Sequence, residues 1–242
     1  MPLVKLDATE STNDYLKEMA ANGAVENFTV VTAESQTAGR GQMGSKWVSE
    51  KGKNLTMSML ITNTLSDICG IFNLNVAVAL SVIVTLEKHD IADISIKWPN
   101  DIMAGAKKIG GILIENVIKS NGEIQSIAGI GLNVNQLDFS GLPKASSLAV
   151  VAGKEFDKDE IRERLTQNIV NNISFLAEHS DVLWQAYHDK LFKKGVPMAF
   201  EGTDGNRFMG IIERVDSTGK LELLLEDDSR KTFGIKEIQM LY

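Results

Sequence analysis

The sequence predicts an α+β protein: a mixed, largely antiparallel sheet with helices packed on it, followed by a small C-terminal β-barrel. Three observations predict it. Two strongly β segments, "KIGGILIENVI" and "SIAGIGLNVN", are joined by "SNGE", a turn signal. They therefore read as an antiparallel hairpin, whereas a doubly wound parallel sheet would put a helix between them. Apolar residues at helical spacing run through 70–88 and 155–192. After Gly195 the pattern changes to short strands with frequent turns and no helix.

In chain order, Val4 to Leu6 reads as a short strand, and "ESTNDYLKEMA" opens a helix. Ser11 followed by Asp14 fits a capping-box-like start, and Tyr15, Leu16 and Met19 give the apolar face. Residues 28–34, "FTVVTAE", are rich in β-branched side chains and make a strand. In "NLTMSMLI", Leu55, Met57, Met59 and Ile61 alternate with the other positions, which is strand spacing. Phe72, Val76, Leu80 and Val84, four apart, mark residues 70–88 as a buried helix. "DISIKWP" is a strand that stops at Pro99. Beyond the hairpin, Ile161, Leu165, Ile169, Ile173 and Leu176 share one face of a helix over 155–178, and a second helix covers 181–192. The tail strands are divided by Asp204-Gly205, Ser217-Thr218-Gly219 and Asp227-Asp228-Ser229. The expected division is 1–192 and 193–242, the smaller unit leaning on the larger.

Composition narrows the functional classes. With 25 basic and 32 acidic residues in 242, the net charge is −7, which argues against nonspecific binding to nucleic acid or acidic membranes. A local basic pocket for a phosphate is still allowed. Cys69 stands alone, so an internal disulfide and a cysteine-rich zinc site are excluded, and a reducing, cytoplasmic setting fits. His89, His179 and His188 lack metal-ligand spacing. The N-terminus has no signal-peptide pattern, and nowhere do 18 apolar residues run together. The first strand begins almost at residue 1, so no helix-turn-helix module, and no specific DNA binding, is expected ahead of it.

"QTAGRGQMGSKW", Gln36 to Trp47, spaces Gly39, Gly41 and Gly44 as G-x-G-x-x-G. A dinucleotide-binding loop needs a strand before it and a helix after it. The strand is present, but "SKWVSEKGKNLTMSML" has no helical stripe and leads into another strand. Successive amides in such a loop can still form an anion nest, and Arg40 places a guanidinium where the anion would lie. The loop alone fits a flexible hairpin connection equally well. Three further stretches favour a site. Pro99 ends a strand, so Asn100 and Asp101 fall at a turn. Lys107 and Lys108 precede a nearly apolar strand, where a lysine can meet an anion, although a solvated turn fits Lys107 as well. In "GIGLNVN" the glycines thin the strand so that a flat group can lie on it, and Asn133 offers paired donor and acceptor to a base edge.

"ESTN", "QTAGRGQMG…W", "KWPND", "KKIGGILIE" and "GIGLNVN", in this order, resemble the biotin–protein ligases. Each motif alone is weak; the ordered set is specific and covers essentially the whole chain. The resemblance is to the monofunctional type without a DNA-binding domain. It implies a fold related to class II aminoacyl-tRNA synthetases with an SH3-like C-terminal barrel. It also implies a two-step reaction. Biotin and ATP, with Mg²⁺, give biotinyl-5′-AMP and pyrophosphate; biotin then passes to one lysine of a biotin carboxyl carrier domain. Homodimerisation through a sheet edge is common in the family.

By the same resemblance, Lys108 and Arg40 carry the chemistry, Lys108 beside the biotin carboxylate and α-phosphate and Arg40 on phosphate or adenylate. Ser11, Thr12 and Gln36 match positions around the biotin head; Gly39, Gly41 and Gly111 line the biotin site with Arg40 and Lys108. Trp47 and Asn133 match adenine-side positions, and Asn100 and Asp101 organise the turn near the nucleotide or metal. No metal ligand is assigned. The loop departs from many relatives in having neutral Gln42 and Ser45 where they carry arginines. Either Lys46 or Lys53 compensates, or the adenylate leaves more readily. Two alternatives are weighed: a lipoate–protein ligase, whose arginine- and glycine-rich signature is missing, and a non-catalytic biotin sensor, which could dispense with Lys108.

Overall fold

The structure is a computed structural model that describes residues 1–23, 25–62, 70–119 and 122–242. Cys69 and the first half of the "SNGE" turn signal lie outside the described residues.

Seven strands form the main sheet: β1 (Leu3–Leu6), β2 (Val30–Ala33), β3 (Leu55–Thr62), β4 (Ile94–Lys97), β5 (Asp101–Ala104), β6 (Lys107–Ile118) and β7 (Ile124–Leu132). Their spatial order is β1-β2-β3-β7-β6-β5-β4. Only β1 and β2 run parallel; every other neighbour is antiparallel. The expected hairpin is present as β6 and β7, paired from Gly110↔Leu132 to Ile118↔Ile124.

The two faces of the sheet differ because side chains alternate. One face carries Met57, Met59, Ile112, Ala128, Ile130 and Leu132, and these pack with helices α2 (Ile71–Glu87) and α4 (Lys158–Asp189) in one large core. The other face carries Val31, Leu60 and Ile127, which pack on Leu16 of helix α1 (Thr12–Asn22). The sheet is thus the middle of three layers. On the α1 side, away from that small cluster, the same parity leaves Thr56, Ser58, Gly111, Gly129 and Gly131 facing outward. Small and polar residues there keep a hollow open.

Two elements correct the sequence reading. Asp101 begins strand β5 and pairs with Lys97, so β4 and β5 form a tight hairpin whose tip is Trp98, Pro99 and Asn100. Four residues, "DIMA", were too few to show strand alternation beside the turn signal. The two late helices are present as expected; they follow one another within α4 across a kink at His179, whose φ of −135° and ψ of 42° are not helical. A short helix α3 (Leu148–Ala152), capped by the Ser147 hydroxyl, was not anticipated.

The C-terminal strands β8 (Pro197–Gly202), β9 (Arg207–Val215), β10 (Leu221–Leu225), β11 (Arg230–Phe233) and β12 (Ile238–Leu241) form a second sheet ordered β11-β10-β9-β8-β12. The small barrel expected from the sequence is therefore a five-stranded sheet whose ladder does not close among the described residues. It is seated on the main body by specific bonds. The Trp98 indole donates to the Gly219 carbonyl at 2.9 Å, and His188 Nε2 of α4 lies 2.9 Å from the Val215 carbonyl. No helix among the described residues is long and apolar enough to cross a membrane.

Candidate active site

A cavity of about 650 Å³ opens on the α1 side of the sheet and is bordered above by residues of the C-terminal sheet. A drug-sized ligand occupies a cavity of this size. Its floor is set by register. Across the strands, Thr56, Gly131, Gly111, Asp101 and Lys97 stand in one row of paired residues. Ser58, Gly129 and Leu113 form the next row.

The glycines have specific occupants above them. A Cβ on Gly131 would lie 2.5 Å from Trp47 Cε2, and one on Gly111 would sit 3.7 Å from Trp47 Cζ3. The flat group that the thinned strands admit is the chain's own Trp47 indole. Its Nε1 is buried without a hydrogen-bond partner among the described residues. Gly129 leaves room for the Asn13 amide, which a Cβ there would strike.

Lys108 reaches the cavity through a β-bulge. The pairing of β5 with β6 shifts between Ile102 and Met103, so that Ile102 faces Gly110 while Met103 faces Lys108. One extra residue reverses the alternation on β6. Ile109 consequently enters the core fully buried, and Lys108 turns to the same side as Gly111. Its Nζ lies 2.5 Å from Asp101 Oδ1 and 5.9 Å from the Trp47 ring centre. Lys97 Nζ is 3.6 Å from the other Asp101 oxygen. Burial pushes the Lys97 ammonium below the usual lysine range, and Asp101 only partly offsets it. Two lysines thus share one carboxylate on the wall. An anion entering the cavity would compete with Asp101 for both.

Arg40, on the loop after β2, is held by Asp14 in the first turn of α1. Ser11 is both things the sequence left open: it caps α1 by accepting the Asp14 N–H, and it lines the cavity. The Thr12 N–H donates to Gln36 Oε1 at 2.8 Å. Gly41 and Asn100 also line the cavity, and the Asn100 amide donates to the Ile112 carbonyl at 2.7 Å. Gly39, expected to line the biotin site, lies outside the cavity lining; its carbonyl accepts the Trp47 backbone N–H at 2.9 Å. Asn133 lies outside the cavity lining; its Nδ2 donates to the Ser146 carbonyl at 2.9 Å.

Several wall residues were not singled out from sequence. Lys97 belongs to the quoted "KWPND" but was passed over. Asn13 also stood inside a quoted motif, as did Glu115, which lies outside the lining and holds Asn13. Lys236, from the turn before β12, donates to the Met43 carbonyl at 2.6 Å and so joins the C-terminal sheet to the glycine loop. Of the two lysines considered as replacements for missing loop arginines, Lys46 lines the cavity and Lys53 does not.

Glu115 gives the site a pH signature. Partial burial raises its carboxyl pKa, but hydrogen bonds from Lys17 and Asn13 outweigh that and hold it below the usual carboxylate range. A depressed folded-state pKa contributes stability above the unfolded pKa and loses it as pH falls through the folded one. The difference in melting temperature between wild type and Glu115→Gln is therefore expected to be largest at neutral pH and to shrink below pH ~4. A gap that stays constant from pH 7 to pH 3 would show that Glu115 is not ionised through these bonds.

Residues 6–135, more than half of the chain, match the biotin/lipoate A/B protein ligase family. The chain belongs to that family. Its similarity extends well past the matched stretch. The bifunctional ligase/repressor BirA of Bacillus subtilis (strain 168) is 31% identical over 244 residues, spanning 98% of this chain and 71% of the relative. The biotin–[acetyl-CoA-carboxylase] ligase of Mycobacterium tuberculosis is 29% identical over 216 residues, 88% of this chain and 79% of that one. The solved biotin protein ligase from Aquifex aeolicus, in complex with biotin and ATP, superposes with a TM-score of 0.81 at 27% identity, covering 99% and 98% of the two chains. This ligase-family chain therefore carries its relatives' fold across both sheets, including the C-terminal one that borders the cavity.

Proposed function

We propose that the chain is an ATP-dependent biotin–protein ligase. The observation that carries this is the meeting of Arg40, Lys97 and Lys108 in one cavity over a glycine-flattened floor. In the first step the biotin carboxylate attacks the α-phosphorus of ATP, and pyrophosphate leaves. Two anions must approach, so fixed cations at the reacting centre lower the barrier directly. Lys108 and Arg40 are suited to that, and a bound anion would draw Lys108 from Asp101. In the second step the ε-amine of an acceptor lysine attacks the acyl carbonyl, and AMP leaves. The acceptor is a biotin carboxyl carrier domain, and the reaction takes place in the cytoplasm.

Ser11, Thr12 and Gln36 supply hydroxyl and amide partners for the ureido head. Trp47 offers an apolar face and one N–H. Residues 1–192 form the catalytic unit, and 193–242 act as a roof over the nucleotide end. Among the described residues no group of three His, Cys, Asp or Glu could hold a metal. Mg²⁺ would arrive on the ATP phosphates and take one or two carboxylates beside their oxygens; Glu201 and Glu237 line the cavity, while Asp101 is already held by Lys97 and Lys108. The ion would neutralise phosphate charge there.

The test is mass spectrometry of a carrier domain incubated with the protein, biotin, ATP and Mg²⁺. A single biotin adduct on one lysine, dependent on both small molecules, is expected. A lipoyl adduct with lipoate in place of biotin, or no adduct at all, would reject the proposal.

A further inference from the structure

We propose that Glu115 is a positioning residue that fixes which way the Asn13 amide faces. It thereby sets the cavity floor for a ligand head bearing an N–H beside a carbonyl. This rests on the biotin reading above and deepens it. The puzzle is a carboxylate with only 24% of its side chain exposed, placed beneath a cavity built for anions. Asn13 is 4% exposed; its Nδ2 donates to Glu115 Oε2 at 2.7 Å and, more weakly, to the Leu113 carbonyl at 3.4 Å. Lys17 Nζ holds the second carboxylate oxygen at 2.5 Å.

An amide side chain has a donor end and an acceptor end, and only its partners decide which faces where. An ionised carboxylate can only accept. Glu115 therefore claims the NH₂ end of Asn13 and turns its Oδ1 to the floor, over Gly129 and 2.6 Å from the Ser58 hydroxyl. Across the floor, the Thr12 backbone N–H can only donate, so Gln36 shows it Oε1 and keeps its NH₂ for another partner. The hydroxyls of Thr12 and Ser58, 2.7 Å apart, can rotate and impose no direction. The floor thus has one fixed acceptor at Asn13, and Gln36, which lines the same cavity with its Nε2 on the Gly39 side, is left with an amide N–H as its free polarity. A cyclic urea presents the matching pair.

Substitution can reverse this polarity and then restore it. In Glu115→Gln, Lys17 still takes the single oxygen of residue 115, leaving an NH₂ facing Asn13. The Asn13 amide must turn over, and an N–H then meets the ligand's N–H. In the double variant Asn13→Asp with Glu115→Gln, the new NH₂ donates to one oxygen of residue 13, and the other oxygen returns to the floor. Biotin affinity by calorimetry, and the KM for ATP from pyrophosphate release, are measured for wild type, Glu115→Gln and the double variant. Circular dichroism confirms that each is folded at the assay temperature.

The single variant is expected to weaken biotin binding by about 10- to 100-fold, the usual scale for a buried polar group left unpaired. The ATP KM should stay within about twofold, since the network touches only the ligand head, and the double variant should recover most of the loss. Unchanged biotin affinity in Glu115→Gln, or a folded double variant that binds no better than the single one, overturns the proposal. Failure of the wild type to bind biotin at all would instead sink the parent reading, and this inference with it.

Discussion

Lys108→Ala is expected to lower biotin-dependent pyrophosphate release by about 10²- to 10³-fold, the scale for removing one electrostatic contact to a developing charge. The bulge on β6 brings this ammonium to the cavity, and no other lysine is as close to Asp101: Lys97 stands 3.6 Å away against 2.5 Å. Lys97 meets the other oxygen of that carboxylate. The fold should survive, because the Lys108 side chain is about one third exposed and its backbone bonds are unaffected. Single-turnover measurement separates this from product release. Supplying preformed biotinyl-5′-AMP should restore much of the transfer to the carrier. A loss below tenfold in the first step would remove Lys108 from the reacting phosphate.

Gly131→Ala should be nearly as damaging for a different reason. The new methyl would sit 2.5 Å from Trp47 Cε2 and 2.6 Å from Cζ2, well inside contact distance. Strand β7 is held between β3 and β6, so the indole must move instead. Overpacking of this kind costs about 1–3 kcal/mol. The displaced ring would also pull on the loop carrying Arg40, because the Trp47 N–H is bonded to Gly39. We expect a drop of about tenfold or more in kcat/KM for both biotin and ATP, in line with the cost of misplacing groups near a reacting centre. Tryptophan emission should shift to the red as Trp47 becomes exposed. Unchanged emission and unchanged kinetics together would mean that the indole does not rest on the glycine pair.

Much of this arrangement was legible in the sequence because it depends on local signals. Period-four apolar residues marked α2, alternation marked β3, and "SNGE" between two β-rich runs marked the central hairpin. Ser11 and Asp14 announced the start of α1, and that cap now borders the cavity. What was illegible depended on counting across strands or on distant partners. Strand β5 was hidden by its brevity beside Pro99. Sequence alternation alone would have sent Lys108 to the apolar face with Gly110 and Ile112; only the pairing with β5 reveals the bulge. Asn133 read as a free amide, but its Nδ2 is bonded to the Ser146 carbonyl, thirteen residues on. The contact of Lys236 with Met43 joins residues 193 apart, and no local pattern encodes it. The resemblance to a ligase family collected the motifs in order, while their shared row on the sheet came from register.

The shift on β6 makes the chemistry depend on an odd number. Between Asp101 and Lys108 the hairpin tip at Gly105 is exposed and can change in length while both strands keep their facing. Insertion of one residue into β5 between Ile102 and Met103, opposite Ile109, is another matter. It would pair with Ile109 and smooth the ladder, yet turn the ammonium through the plane of the strands into the oily layer around Ile96 and Ile102. The irregularity is thus the gear that couples an ordinary antiparallel ribbon to a charged pocket, and a chain repaired to perfect pairing would fold around a missing cation.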